Sequence, residues 1–397
     1  MSQATHAERS HALLSASKAA QWINCPPSAR LQEGVPDRRS PDAERGTCAH
    51  ELAEVKLRQR LTVCDAQMRD ELDARLKTIQ ANEFYDKEME ETIQTYVTFV
   101  EEEFLRAKSR SVDAVLLLEE QLDFSEWVPE GYGTGDVIII ADGTLTVIDL
   151  KYGVGVPVSA VGNPQIRLYG LGAWAAYNWL YDIQEVRLVI AQVRLDRITE
   201  DTVSVQELLE WADNVVKPAA ALAFAGEGNF KPGEHCRWCK VKATCRARAE
   251  ENMKTLTYEF RDPALLSDEE IGSILFVAQQ LKEWAKDVEE YAFEQAKQGH
   301  RIPQWKLVEG RSNRKITDAT EATRRLVDAG YDPDTIAPRS LLGVGKLEKL
   351  LGKGRLQDLL HDIVDKPPGA PTLVPETDPR PELNSIADDF ADEHFDA

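Results

Sequence analysis

Asp136, Asp149 and Lys151 lie within GTGDVIIIADGTLTVIDLK, where two β-branched runs flank Asp142-Gly143. Asp-Gly between strand-like runs is a preferred two-residue hairpin loop, because both turn positions take positive φ. That loop sets Ala141 against Thr144, and the same register brings Asp136 opposite Asp149. Lys151, two residues beyond Asp149, shares its face by the two-residue period of a strand. Opposed carboxylates have Cβ atoms about 4.5–5.5 Å apart and repel, so the pair calls for a cation. Magnesium takes oxygen ligands from one or two carboxylates plus substrate phosphate, and manganese favours the same ligand class. Water activated by such an ion beside a lysine could attack a phosphodiester. Alternatively, the segment is an exposed hairpin carrying a solvated salt bridge. Direct opposition also predicts that, without metal, Asp136→Asn leaves stability equal or raises it by roughly 0.2–1 kcal/mol.

Two further groups keep this hairpin company. Gln165 and Tyr169 are four apart on one face of the helix that Asn163-Pro164 opens, and Gly46 and His50 share a helical face in GTCAHELAE. A single histidine on a helix is more often structural than a ligand. The ordered set G-T-x-x-H, G-D, D-L-K and Q-x-x-x-Y resembles the RecB-type branch of the PD-(D/E)XK nuclease superfamily. The resemblance implies an α/β, restriction-endonuclease-like core with a central mixed sheet flanked by helices. It implies His50, Asp136 and Asp149 as metal ligands, with the Leu150 carbonyl as a further one. Lys151 would orient or activate the attacking water, and Gln165 and Tyr169 would support the site and the substrate backbone. The sequence departs from the pattern twice: Gly135 stands where the superfamily has proline, and Asp149 where glutamate is commoner.

Cys236, Cys239 and Cys245 form a C-x2-C-x5-C array, with Cys25 far upstream of all the motifs above. This is not the paired C-x2-C spacing of a zinc ribbon. Three clustered cysteines with one remote partner could hold a [4Fe-4S] cluster through four thiolates. The pattern resembles the iron staple of AddB-type and CRISPR-associated RecB-like nucleases. Zinc on the same four, or with His235 substituting, is the alternative. Cys48 and Cys64 read as packing residues, although Cys48 lies near His50.

The elements that must position these groups follow from the same pattern. Ser15 is placed as the N-cap of a short helix that runs into Cys25 and stops at Pro26-Pro27, and Ser40-Pro41 opens a helix reaching about Arg60. Residues from about 65 to 108 read as acidic, amphipathic helix. DAVLLLEEQLDF, DVIIIA, TLTVIDLK and EVRLVIAQVR read as strands. Helices are expected over IRLYGLGAWAAYNWL and from about Val205 to Phe224, giving an α/β arrangement. Past Cys245 the chain turns helical again, with Ser267 and Glu270 as a capping box for a helix reaching about Gln298.

The expected organisation is a nuclease core with its iron–sulfur staple over residues 1–255, a helical, locally basic module over 256–365, and a Pro-rich linker with an acidic, disordered tail over 366–397. A formal charge of −21 argues against nucleic acid when taken over the whole chain. The acidity is partly concentrated in the tail, however, where eight acidic residues after Lys366 face only Arg380. Basic residues predominate from Arg301 to Arg355, and Arg311, Arg314 and Lys315, near Trp305, are candidates for backbone contacts. No run approaches the roughly 18 apolar residues of a membrane span, and MSQATHAERS lacks a signal core, so a cytoplasmic protein is expected. LLSAS, the hairpin, KLVEGRSNRK, LLGKG and KPPGAPTLVP also resemble a family of phage and prophage proteins whose activity is undefined. The resulting expectation is a metal-dependent DNA nuclease, in the first place an exonuclease, acting in phage-type replication, recombination or repair. Its partners would be DNA and phage recombination or single-strand-binding proteins. The alternative is a catalytically silent DNA-binding or assembly module that keeps the fold.

Overall fold

The computed structural model describes residues 12–36, 40–254, 268–306, 319–330, 332–333, 344–360 and 363–364. The chain divides into two compact units, Met1–Thr257 with Asp287–Tyr291, and Tyr258–Lys286 with Ala292–Ala397. Ser267, Arg311, Arg314, Lys315 and the acidic tail lie outside the described residues.

The first unit is built on a mixed five-stranded sheet. β1 (Val115–Asp123), β2 (Tyr132–Ala141), β3 (Thr144–Leu150), β4 (Glu185–Gln192) and β5 (Arg197–Ser204) follow one another across it. All neighbours are antiparallel except β3 and β4, which run parallel. A parallel pair needs a crossover, and α6 (Pro164–Tyr177) supplies it. β5, RITEDTVS, is the strand that sequence pattern does not announce. It pairs on one side only, with β4, and its exposed positions are Ile198, Glu200 and Thr202.

The sheet's apolar runs feed two cores. Ile138, Ile140, Leu145, Val147 and Leu188 pack with α6, with α1 (Ala19–Asn24), and with the continuous helical stretch of α7 (Val205–Trp211), a π turn and α8 (Lys217–Ala225). Val137, Ile139, Ile148 and Leu150 pack against α3 (Pro41–Leu61), α4 (Ala66–Gln80) and α5 (Lys87–Arg110). Burying both faces accounts for the unbroken VIIIA run, because alternate residues serve opposite cores. The helix starts follow side-chain chemistry. Ser40 Oγ accepts from Ala43 N at 3.1 Å ahead of Pro41, and Asn163 Oδ1 accepts from Gln165 N at 3.0 Å ahead of Pro164.

Helix α10 (Asp268–Lys297) has residues in both units, and the other described helices of the second unit are Ala319–Asp328, Val344–Leu351 and Lys353–Leu360. Trp305 is exposed. Among the described residues no helix is long and apolar enough to cross a membrane.

Candidate active site

The hairpin turn forms as its sequence dictates: Asp142 and Gly143 have φ of 50° and 72°, and Ala141 pairs with Thr144. Pairing continues to Val137–Ile148 and stops one step short of the two aspartates. The reason lies on the other edge of β2. The β1–β2 ladder skips Glu119 and Asp136 together, and Glu119 has φ of 54°, in the left-handed region that β-strand residues avoid. The inside-outside alternation reverses there. Leu118 packs in the α3–α5 core but Leu122 in the opposite one, and a Cβ on Gly133 would stand 2.7 Å from Tyr169 Cε1 on α6.

This break changes the expected picture of two carboxylates simply repelling across a regular ladder. Asp136 Oδ2 accepts from Leu150 N at 2.8 Å, and Asp136 Oδ1 lies 3.4 Å from His50 Nδ1 on α3. Asp149 Oδ2 lies 3.0 Å from Lys151 Nζ. Each acid thus has a cation of its own. Because Asp136 bonds both a backbone amide and His50, the indifference of the metal-free protein to Asp136→Asn does not follow from this geometry. The amide oxygen could keep the Leu150 bond, but the charge that holds His50 would be gone.

Around Asp149 the polar groups form a closed set. Gln165 Oε1 accepts from Lys151 Nζ at 3.0 Å, and Gln165 Nε2 lies 3.2 Å from Asp149 Oδ1 and 3.3 Å from the Tyr169 hydroxyl. The four-residue spacing on α6 brings Gln165 and Tyr169 together as read from the sequence. Leu150 contributes its amide to Asp136 and packs its side chain in the α3–α5 core.

Electrostatics separate the two acids. Burial raises the Asp149 pKa and Asp136 raises it further, against the lowering effect of Lys151. Burial is also the largest influence on Asp136, but His50, the Leu150 amide and Lys151 together outweigh it and the net direction is down. Burial disfavours protonation of His50, yet Asp136, with Glu119 and Asp149, outweighs it and lifts the pKa to about 9.

Glu119 is the functional candidate that motif reading misses. Ligand atoms of His50, Glu119 and Asp136 lie within 4.8 Å of one another, close enough to share one cation. Its signal in sequence is faint, one acid of a Glu-Glu pair inside an apolar strand. Leu118 and Leu122, four apart, would share a face of a regular strand, so the reversal between them shows only in the fold.

The carboxylates open into a cavity of about 230 Å³, lined by His50, Asp136, Asp149, Lys151, Gln165 and Tyr169. Ala12, Ser15, Ala16 and Ser17, together with Tyr132, Gly133 and Thr134, complete its walls. Asp149 is 4% exposed and its Oδ2, though near Lys151, has no aligned hydrogen-bond donor. A buried carboxylate oxygen without a donor is costly, and a cation would relieve it. His50, Glu119 and Asp136 form the close donor group, with Asp149 lining the same cavity as His50 and Asp136, and carboxylate oxygens suit magnesium or manganese.

The cysteines lie apart from this cavity. Cys25 ends α1, and Cys236 and Cys239 sit on and just after a 3-10 turn, Glu234–Trp238, with Cys245 just ahead of α9 (Arg246–Lys254). The two chain regions are tied together, since Lys240 N donates to Gln32 Oε1 at 2.8 Å and Lys240 Nζ to the Val35 carbonyl at 2.9 Å. Burial lifts the Cys239 thiol to about 11, and Cys236, Cys245 and Cys25 each push it the same way. Burial also raises Cys236, again with Cys25 and Cys245 contributing. His235 Nε2 is occupied by the Lys231 carbonyl at 2.8 Å. Cys48 is buried in the α3–α5 core, and Cys64 is half-buried beside it.

A solved structure, "Crystal structure of SSO0001", is similar over 49% of this chain and 95% of its own, at 18% identity and a TM-score of 0.22. A likeness that low carries no argument about fold. A family model described as "Protein of unknown function (DUF2800)" matches residues 11–381. The chain therefore belongs to the DUF2800 family.

Proposed function

We propose that this protein is a metal-dependent DNA nuclease of the PD-(D/E)XK type, in the first place an exonuclease, working in phage-type DNA replication, recombination or repair. The observation that carries the reading is the meeting, in one recessed cavity, of His50, Asp136, Asp149 and Lys151 with Gln165 and Tyr169. A DNA-binding or assembly module has no use for buried acids, which repel phosphate and cost desolvation.

His50, Glu119, Asp136 and Asp149 would hold magnesium or manganese, with the Leu150 carbonyl as a further ligand. When bound, such an ion supplies a polarised phosphoryl oxygen and a water acidic enough to attack near neutral pH. The protein's own groups do the rest. Lys151 neutralises charge as it builds on the phosphoryl oxygens, and Gln165 fixes the ammonium by accepting from Nζ. Gln165 also holds Asp149 Oδ1, and the Tyr169 ring keeps Gln165 in place against Gly133. His50 holds the charge of Asp136 while no ion is present.

Cys25, Cys236, Cys239 and Cys245 are proposed to carry a [4Fe-4S] cluster. Their mutual influence supports a shared site. Zinc on the same four thiolates is the alternative, and metal and sulfide content distinguish the two.

The test is cleavage of a labelled oligonucleotide in magnesium or manganese by the wild type, Asp149→Ala and Lys151→Ala. Each variant should retain its fold and lose at least about a thousandfold in rate, as expected when a group acting in the transition state is removed. Unchanged cleavage by both variants would remove the site assignment.

A further inference from the structure

Residues 12–18 separate two cavities. On one side is the carboxylate cavity, to which Ala12, Ser15, Ala16 and Ser17 contribute. On the other is a cavity of about 210 Å³ lined by Ala12, Leu13, Lys18, Gln21, Ser28 and Lys240, among others. Ala12 borders both, so the two are adjacent across one turn of chain.

Three features give the second cavity a chemical preference. First, Lys18 is exposed, and among the described residues its ammonium has no ion pair or hydrogen bond. Second, the polar floor is short of acceptors. Lys240 N donates to Gln32 Oε1, which fixes that amide so that Gln32 Nε2 donates to Gln21 Oε1 at 3.1 Å. Gln21 must then present its NH2, and Gln21 Nε2 and Ser28 Oγ are left without partners although both residues are more than nine-tenths buried. Both atoms are covered, so the floor is polar but its charge preference comes from the lysines on its rim. Third, the acid on the rim, Glu33, is already held by Arg30 Nη1 at 3.1 Å, so the ammonium groups set the sign of the cavity.

The serines on the dividing turn are also available. Ser15 occupies the N-cap position of the turn Ala16–Lys18, but its side chain makes no capping bond. Its Oγ lies 3.2 Å from Ser17 Oγ instead, and Ser17 is exposed. An N-cap serine usually spends its hydroxyl on the helix. Here the hydroxyl pair belongs to the wall of the carboxylate cavity.

We propose that residues 12–18 are the saddle over which a nucleic-acid strand leaves the carboxylate cavity, with Ser17 and Lys18 binding the phosphate next to the one cleaved and the second cavity receiving the nucleotide attached to it. This rests on the nuclease reading for the identity of the cleaved phosphate, but the binding it predicts needs no cleavage.

The experiment compares wild type, Lys18→Gln and Ser17→Ala in two assays. Anisotropy of a short fluorescein-labelled oligothymidylate in EDTA measures strand binding across a salt series. Turnover in manganese compares the same oligonucleotide with thymidine 5′-(p-nitrophenyl phosphate), which has no second phosphate. Lys18→Gln should weaken binding about fivefold at low salt and lower the slope of log K against log salt by about one, with a smaller loss for Ser17→Ala. In turnover, selectivity for the oligonucleotide over the ester should fall by the same factor. Unchanged affinity and slope in Lys18→Gln, or equal losses on both substrates, would overturn the proposal. If the wild type binds the oligonucleotide but cleaves neither substrate, the nuclease reading fails, and the Lys18→Gln anisotropy alone decides the strand path.

Discussion

His50 shows how far a single residue departs from its ordinary chemistry here. Beside Asp136 its pKa rises to about 9 from the usual 6.5, so without metal it is an imidazolium at neutral pH. A group whose pKa is raised on folding stabilises the native state fully below the unfolded pKa and loses that contribution as pH climbs through the folded one. The protein in EDTA should therefore lose thermal stability between about pH 6.5 and 9, and His50→Gln should flatten that slope. A ligand histidine must give up its proton to bind metal, so stabilisation by magnesium should grow over the same interval. Thermal melts with EDTA and with magnesium, taken across this range for both proteins, check the sign. A slope in EDTA that His50→Gln leaves unchanged would assign the titration to another group. At this scale the sequence was informative where chemistry follows spacing: Asp149 with Lys151, and Gln165 with Tyr169, meet as their periods require. It was silent on Glu119, because no period identifies a residue that enters the site through a positive φ.

Among the elements, strand and helix periods were legible wherever apolar runs are long. The Asp142-Gly143 turn, β1 to β4, and the starts at Ser40 and Asn163 all follow from side-chain chemistry that acts over a few residues. Two features were not legible. β5 is an edge strand of mostly polar residues, with Glu200 paired to Arg187 across the ladder and Ile198 exposed, so its sequence resembles a loop. The reversal at Glu119 and Asp136 is a property of two strands together, and neither strand's pattern alone contains it. The glycines of GTGD acquire a reason only in the fold, since Gly133 leaves room for the Tyr169 ring. Gly133→Ala should push that ring off Gln165, costing roughly 1–3 kcal/mol as an overpacked site. It should also lower cleavage at least tenfold through the displaced Gln165–Lys151 pair. Full activity in a folded Gly133→Ala protein, read by nuclease assay and circular dichroism, would show that Tyr169 does not position the site.

For the whole molecule, the proposed cluster would join the two ends of the first unit, since Cys25 comes before the sheet and the other three cysteines after it. Closing so long a loop restricts the unfolded chain, by an amount of order 5 kcal/mol on the scale of covalent cross-links. Anaerobically purified protein should be brown and contain iron and acid-labile sulfide. Cys25→Ser, Cys236→Ser, Cys239→Ser or Cys245→Ser should lose the colour and melt at lower temperature, while Cys48→Ala and Cys64→Ala keep the colour. Stoichiometric zinc without sulfide would assign the four thiolates to zinc instead. The carboxylate cavity itself is tested with DNA. Purified protein is incubated with end-labelled linear DNA and with closed circular DNA, in EDTA, magnesium and manganese, beside Asp149→Ala. Expected are metal-dependent loss of the linear substrate in both single- and double-stranded preparations or in one of them, sparing of the circle, no reaction in EDTA, and none with Asp149→Ala. DNA left intact by folded wild-type protein in both metals, or cut equally by Asp149→Ala, would contradict the nuclease reading.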